Sequence, residues 1–282
     1  MNSDISIRPA TKEDAPGIAA LLNYKHRVHR HLDWKTPLEL LGTEPFWVIM
    51  HQDVPVAALA CQQDPPGIAW VRFFACIPRL KMDQAWQALF QKTLESFADN
   101  PPDKIVSVSI SDWFETLLVK NQFKICQHIV VLAWQQPGLR ERKINKNLVI
   151  KTMTEEDLEE VSFVDQSAFK PLWQHSLENL KNAFQATAYS SIAVLDGEIV
   201  GYQISSASLY NTHLARLAVN PECQRQGIGQ ALVMDLIQWS MKSGIFLVTV
   251  NTQQDNKASL SLYHKMGFQE TGDIFPVFIY KQ

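Results

Sequence analysis

The chain contains the same unit twice. Residues 5–14 read Ile-Ser-Ile-Arg-Pro-Ala-Thr-Lys-Glu-Asp, and residues 148–157 read Leu-Val-Ile-Lys-Thr-Met-Thr-Glu-Glu-Asp, an offset of 148 − 5 = 143. Ala75-Cys76-Ile77-Pro78 matches Ala218-Val219-Asn220-Pro221 at 221 − 78 = 143. Leu117-Leu118-Val119-Lys120-Asn121-Gln122-Phe123 matches Leu262-Tyr263-His264-Lys265-Met266-Gly267-Phe268 at 268 − 123 = 145. Three matches in order at a nearly constant offset mark a duplication. Each copy opens with a short apolar strand and a helix start. Thr11 with Asp14, and Thr154 with Asp157, have capping-box spacing with Asp in place of the usual Glu. The expected organisation is 1–138 for the first copy, 139–146 for a linker and 147–282 for the second. The join is polar and basic and contains Pro137-Gly138, as an exposed linker should.

Two domains of ordinary size account for the 282 residues. The net charge of −3 exerts no global pull on nucleic acid. The basic run of the linker has no interleaved aromatic residues, so it reads as solvated chain. No apolar run approaches the roughly 18 residues of a membrane span. Met1-Asn2-Ser3-Asp4 lacks the start of a secretory signal. Cys61, Cys76, Cys126 and Cys223 show no disulfide or zinc spacing. The histidines of Tyr24-Lys25-His26-Arg27-Val28-His29-Arg30-His31 are irregularly spaced among cations, which reads as a solvated basic segment rather than a metal site. A cytoplasmic protein without metal, nucleic-acid or membrane partners is expected.

In the second copy, periodicity and turn signals give strand 148–152, helices 155–168 and 176–187, a hairpin turning at Asp196-Gly197, a strand 212–219, and a helix carrying Ile228, Leu232, Leu236 and Trp239 on one side. A strand 245–250, a helix 256–266 closed by Gly267, and a strand from about Asp273 to Tyr280 follow. The order β-α-α-β-β-β-α-β-α-β predicts an α/β fold, a mixed and largely antiparallel twisted sheet with helices on both faces.

Between the 212–219 strand and its following helix stands Gln224-Arg225-Gln226-Gly227-Ile228-Gly229. Unpaired amides and the helix dipole favour an anion at such a junction, and missing Cβ atoms let a phosphate approach the main chain. The pattern is neither a P-loop nor a dinucleotide fingerprint. Together with Ala218-Val219-Asn220-Pro221 before it, it resembles the acetyl-CoA signature of the GNAT superfamily of N-acetyltransferases, whose core is Gln/Arg-x-x-Gly-x-Gly/Ala. Asn251, Asn256-Lys257-Ala258 and Leu262-Tyr263-His264-Lys265-Met266-Gly267-Phe268 resemble that superfamily's second block.

The resemblance implies two tandem GNAT-like domains and acetyl-CoA as co-substrate. It places the diphosphate on residues 224–229 and the pantetheine arm along Leu217, Ala218 and Val219, with Asn251, Asn256 and Ser259 also at the cofactor. It makes Tyr263 the acid that protonates the departing thiolate, a role that a phenol of pKa about 10 suits. An amine acceptor arrives largely as ammonium, so a base is wanted, and His213 is the candidate. Strict alternation puts His213, Ala215, Leu217 and Val219 on one face and Leu214, Arg216 and Ala218 on the other. Asn256, Ser259 and Tyr263 should face the cleft from one helical stripe while Ala258, Leu262 and Met266 pack inward.

In the first copy Arg79-Leu80-Lys81-Met82-Asp83-Gln84-Ala85 replaces the glycine loop and Leu118 replaces Tyr263, so this copy should carry no cofactor. The expected function is N-acetyl transfer to a small amine or a peptide N-terminus. The alternative is a non-catalytic acyl-CoA-binding or regulatory module. Neither the charge nor the tryptophans single out an acceptor or an oligomeric state.

Overall fold

The computed structural model describes residues 5–31, 34–135 and 147–281. The linker expected at 139–146 lies outside the described residues. The chain divides into two compact units: Met1–Cys126 with Pro276–Gln282, and Gln127–Phe275.

Unit 1 contains β1 (Ile5–Pro9), α1 (Ala15–Leu21), β2 (Val28–Arg30), β3 (Phe46–His51), β4 (Val54–Ala60), β5 (Ile68–Trp70), β6 (Phe73–Cys76), α2 (Met82–Ser96), β7 (Lys104–Val108), α3 (Asp112–Lys120) and the start of β8 (Phe123–Trp134). One sheet runs in the order β1-β3-β4-β6-β2, and β5 pairs with β7 in parallel. Alternation along β4 sends Ala57 and Leu59 into a core with α2, and Ala58 and Ala60 into a second core with α1. Trp86 of α2 fills the first core, packed against Phe74, Phe90, Phe114 and Phe123. Leu118, the counterpart of Tyr263, is fully buried there.

Unit 2 continues with the end of β8, then β9 (Leu148–Thr152), α4 (Leu158–Ala168), α5 (Leu177–Ala186), β10 (Tyr189–Leu195), β11 (Glu198–Ala207), β12 (Thr212–Val219), α6 (Ile228–Lys242), β13 (Val248–Gln253), α7 (Lys257–Met266) and the start of β14 (Gln269–Tyr280). Its strands run β8-β13-β12-β11-β10-β9. All pairs are antiparallel except β12 with β13. The element order and the mixed sheet agree with the sequence expectation. Both capping boxes form, with Asp14 accepting from the Thr11 amide at 2.8 Å and Asp157 from the Thr154 amide at 2.7 Å. Asp196 and Gly197 both take positive φ, the twist a two-residue hairpin needs.

The units are not bounded where the repeats are. From Gln127 on, β8 belongs to unit 2 and pairs with β13, from Ile129 against Gln253 to Trp134 against Val248. From Pro276 on, β14 belongs to unit 1, where Val277, Phe278 and Ile279 pair with Val108, Ser107 and Val106 of β7. Each copy's last strand therefore completes the sheet of the other. A repeat locates where a copy begins in the chain, but says nothing about which sheet its final strand joins.

Candidate active site

The site grows from one irregularity in β12. On the β11 side the register skips a residue, since Arg216 pairs with Ile204 but Leu214 with Ser205, leaving Ala215 as a one-residue bulge. Before the bulge, Thr212 Oγ1 lies 2.8 Å from Ser240 Oγ of α6, and Leu214 packs with Val233 and Leu236 of that helix. After it, Leu217 and Val219 pack against Ile228 and Leu232, again of α6, while Arg216 turns to α4. Thr212, Leu214, Leu217 and Val219 thus share the α6 face, and His213, Arg216 and Ala218 share the α4 face. Strict alternation is corrected here: the inserted residue moves His213 to the face opposite Leu217 and Val219.

The backbone changes with it. Pairing of β12 with β13 is confined to Thr212 with Val248, His213 with Thr249 and Leu214 with Val250. From Ala215 the two strands part. The Asn220 amide donates to Val200 O at 2.8 Å, toward β11. Amide directions alternate along a strand, so Arg216 and Ala218 N–H also point to β11. The N–H groups of Leu217 and Val219 point into the gap.

At the end of the gap the chain turns through Pro221–Cys223 into α6. Arg225 and Gly227 take left-handed φ of 63° and 85°. The φ of Gly227 calls for glycine, and nothing lies within 4 Å of a Cβ built there, so the main chain at this point borders open space. Gly229 also has a packing role. A Cβ there would stand 3.2 Å from Leu262 Cδ2 and 3.7 Å from Val219 Cγ2. Its bare Cα thus lets α6 sit closely on α7 and β12. The first intrahelical bond of α6 runs from Ala231 N to Gly227 O at 2.9 Å. The amides of Ile228, Gly229 and Gln230 have no helical acceptor and lie at the positive end of a 15-residue helix. Arg225 and Gln226 are exposed, and Gln224 Nε2 donates to Val219 O at 3.2 Å.

Asn256 caps α7, its Oδ1 accepting from Ser259 N at 3.2 Å. Both side chains are half-buried, as is Asn251, which stands on β13 just past the divergence and pairs with Val131. Tyr263 is the buried residue of α7, only 4% exposed and packed on Phe268. Ala258 is exposed and Leu262 and Met266 half-buried, so the expected inward stripe is reversed. Burial pushes the Tyr263 phenol up from its ordinary range, and its hydroxyl has no hydrogen-bond partner among the described residues. His213 Nδ1 lies 2.9 Å from Thr249 Oγ1, which in turn is bonded to Asn211. Burial lowers its pKa, so the ring is neutral near pH 7. Its Nε2 has no partner among the described residues.

A buried polar cluster on the α4 face, not read from the sequence, centres on Asp165. Asp165 of α4, fully buried, accepts from Tyr202 Oη, from Arg216 Nε at 2.8 Å and from the His175 amide at 2.9 Å. Arg216 Nη2 also donates to Trp173 O, and its guanidinium lies 3.7 Å over the Phe169 ring. Trp173 Nε1 donates to Gln127 Oε1 at 3.0 Å. The cluster thus ties the α4–α5 connection, Phe169 to His175, to the sheet beside the gap. The signal available was Arg216 itself: a cation inside a buried strand demands a partner.

Residues 151–268 match the profile of the Acetyltransferase (GNAT) family. An uncharacterized N-acetyltransferase of Methanocaldococcus jannaschii is 27% identical over 129 residues, 44% of this chain and 79% of that protein. The [ribosomal protein bS18]-alanine N-acetyltransferase of Escherichia coli is 33% identical over 75 residues, 27% of this chain and 51% of that enzyme. The match to the latter therefore spans about half its length. Among solved structures, a tandem GNAT protein from the clavulanic acid biosynthesis pathway aligns over 98% of both chains with a TM-score of 0.71 at 13% identity. A GCN5-related N-acetyltransferase from Sphaerobacter thermophilus aligns over 99% of this chain and 96% of its own, with a TM-score of 0.66 at 16% identity. At such identities these likenesses speak for the fold.

Proposed function

We propose that residues 151–268, which match the profile of the Acetyltransferase (GNAT) family, form an acetyltransferase domain that transfers an acetyl group from acetyl-CoA directly to a primary amine, either a small amine or a peptide N-terminus. The observation that carries this reading is the parting of β12 from β13 at Ala215, with the N–H groups of Leu217 and Val219 aimed into the gap. The start of α6 lies at the end of that gap.

The residues fit the co-substrate. A pantetheine arm, itself a chain of amides, can pair with the free edge of Leu217, Ala218 and Val219. A diphosphate can take the backbone amides of Gln224, Arg225, Gln226, Gly227, Ile228 and Gly229, where the open space at Gly227 leaves the main chain bare. Asn251 and the capping pair Asn256 and Ser259 line the strand and helix on the far side. Acetyl-CoA supplies an activated acyl group as a thioester. An N–H of the gap is available to donate to the carbonyl oxygen of that thioester as charge grows on it.

Tyr263 is the proposed acid. Its pKa, raised by burial, keeps it protonated throughout the working pH range, and its unengaged hydroxyl can give a proton to the leaving thiolate. His213 is the proposed base. It is neutral, Nδ1 is fixed by Thr249, and Nε2 is free to take the ammonium proton directly or through water. The acceptor side of the gap is the α4 face, shaped by Phe169, Trp173 and the Asp165–Arg216 pair.

The test is release of CoA thiol over a panel of amines and short peptides. Tyr263→Phe should lower kcat about a hundredfold or more while leaving acetyl-CoA affinity intact. Binding of acetyl-CoA with no turnover on any acceptor, together with indifference to Tyr263→Phe, would instead mark a non-catalytic module.

A further inference from the structure

The gap of unit 2 has a counterpart in unit 1, and there it is filled. The two units correspond in register. Ala69 with Ile105 and Trp70 with Val106 pair in parallel. Adding 143 gives Thr212 with Val248 and His213 with Thr249, the pairs that β12 makes with β13. The stretch Phe73–Cys76 of β6 corresponds to Arg216–Val219. It is paired with β4 as its counterpart is with β11.

On the other edge the units differ. Among the described residues, β12 has no strand beside Arg216–Val219. Along β6 lies β2, with Val28 against Ala75, His29 against Phe74 and Arg30 against Phe73. His31 N donates to Arg72 O at 2.8 Å. Ile77 N donates to Val56 O at 2.9 Å, toward β4; amide directions alternate along a strand, so Phe74 N–H points to β2, where it faces His29. Phe74 corresponds to Leu217 (74 + 143 = 217), whose N–H faces the open gap. At the start of β2, Arg27 Nη1 donates to Leu80 O at 2.8 Å and Ile77 O at 3.2 Å. Those residues correspond to Cys223 and Asn220 (80 + 143 = 223; 77 + 143 = 220), at the approach to the phosphate loop. His29 is 2% exposed, stacked on Phe114 with ring centroids 3.8 Å apart, and bonded through Nε2 to Val71 O at 3.1 Å.

We propose that Arg27–His31 is a built-in occupant of the first copy's cofactor slot, lying along β6 as the pantetheine arm lies along β12. The chain therefore binds one acyl-CoA, in unit 2. This inference rests on the reading of the unit 2 gap given above. It goes further in naming what fills the other slot. Both occupants are chains of amides satisfying the same strand edge, one covalently part of the protein and one diffusible. The segment reads as a solvated basic run in sequence, yet His29 is buried and His31 half-buried along this pairing.

Two measurements on the full chain test it. Hydrogen–deuterium exchange without ligand should show the amides of His29, His31 and Phe74 protected, and unchanged on adding acetyl-CoA. Arg27→Ala removes the two charge-assisted bonds and should speed exchange at His29 and His31 about tenfold or more, with acetyl-CoA affinity unaltered. Titration calorimetry should give one acetyl-CoA per chain in wild type and Arg27→Ala, and none in Gly227→Val. Two sites per chain, a site surviving Gly227→Val, rapid exchange at His29 and His31, or their deprotection by acetyl-CoA would each overturn the proposal. Protected amides with no acetyl-CoA bound anywhere would instead sink the reading of unit 2, and the one-site claim with it.

Discussion

His213 and Arg216, three residues apart in one strand, project from the same face of the sheet, because the bulge at Ala215 restarts the alternation between them. The bulge thereby sets the proposed base on the acceptor face beside the Asp165 cluster. The same displaced register turns the Leu217 and Val219 amides into the gap.

The acid limb of the rate profile follows from His213. Burial lowers its pKa below the ordinary 6.5. The neutral, base-competent form thus persists to lower pH than for a free imidazole, and activity should fall only as pH drops through that lowered value. His213→Gln should abolish this limb in kcat and reduce kcat about a hundredfold. A wild-type limb above pH 6.5, or an unchanged limb in the variant, would remove His213 from the chemistry.

Asp165→Ala should cost about 3–5 kcal/mol of stability, read as a fall in the denaturant midpoint. It leaves the Arg216 cation in the interior with no carboxylate, only the Trp173 carbonyl and the longer contact to Tyr202 Oη, and removes the acceptor of the Tyr202 hydroxyl and the His175 amide. A loss below about 1 kcal/mol would mean that water replaces the carboxylate without penalty.

The exchanged strands dictate which pieces of the chain can stand alone. A fragment of residues 147–282 lacks Gln127–Trp134, and with it the buried Val130, Leu132 and Trp134 of unit 2. Their loss should remove upward of about 5 kcal/mol of apolar burial and leave the β13 edge unpaired. We expect 147–282 to aggregate and 127–275 to melt cooperatively. A cooperative, monomeric 147–282 would contradict the exchange.

Gln122 stands where the second copy has Gly267, and takes the same left-handed conformation, φ 68° against 93°. Gln122→Gly should therefore stabilise unit 1 by about 1 kcal/mol, measured by chemical denaturation. Destabilisation would show that the glutamine side chain contributes more than the strain it imposes.

Much of this was legible in the residues. The repeat, the capping boxes, the Asp196-Gly197 turn and the strand-to-helix glycines are local patterns with local causes, and the structure keeps them. The bulge was not legible. Thr-His-Leu-Ala-Arg-Leu-Ala-Val alternates acceptably without it, and only the pairing with β11 exposes the extra residue. The stripe of α7 expected to pack inward is the more exposed one, because the amphipathic Tyr263 buries its ring against Phe268 and helical spacing alone does not say which stripe does so. The burial of His29 was hidden for a related reason. Charged neighbours mark a solvated segment unless a strand edge elsewhere in the fold needs a partner. The role of Gly229 depended on where Leu262 of a later helix came to rest.

The proposed function depends most directly on the amides at the start of α6 holding a diphosphate. The most direct measurement is the thermal stability of wild type and Gly227→Val with and without acetyl-CoA. At a hundred times Kd the ligand should add about 2.7 kcal/mol to the wild type and nothing to the variant, whose side chain meets a φ of 85° and the open face of the loop. An equal rise in Gly227→Val would contradict the account.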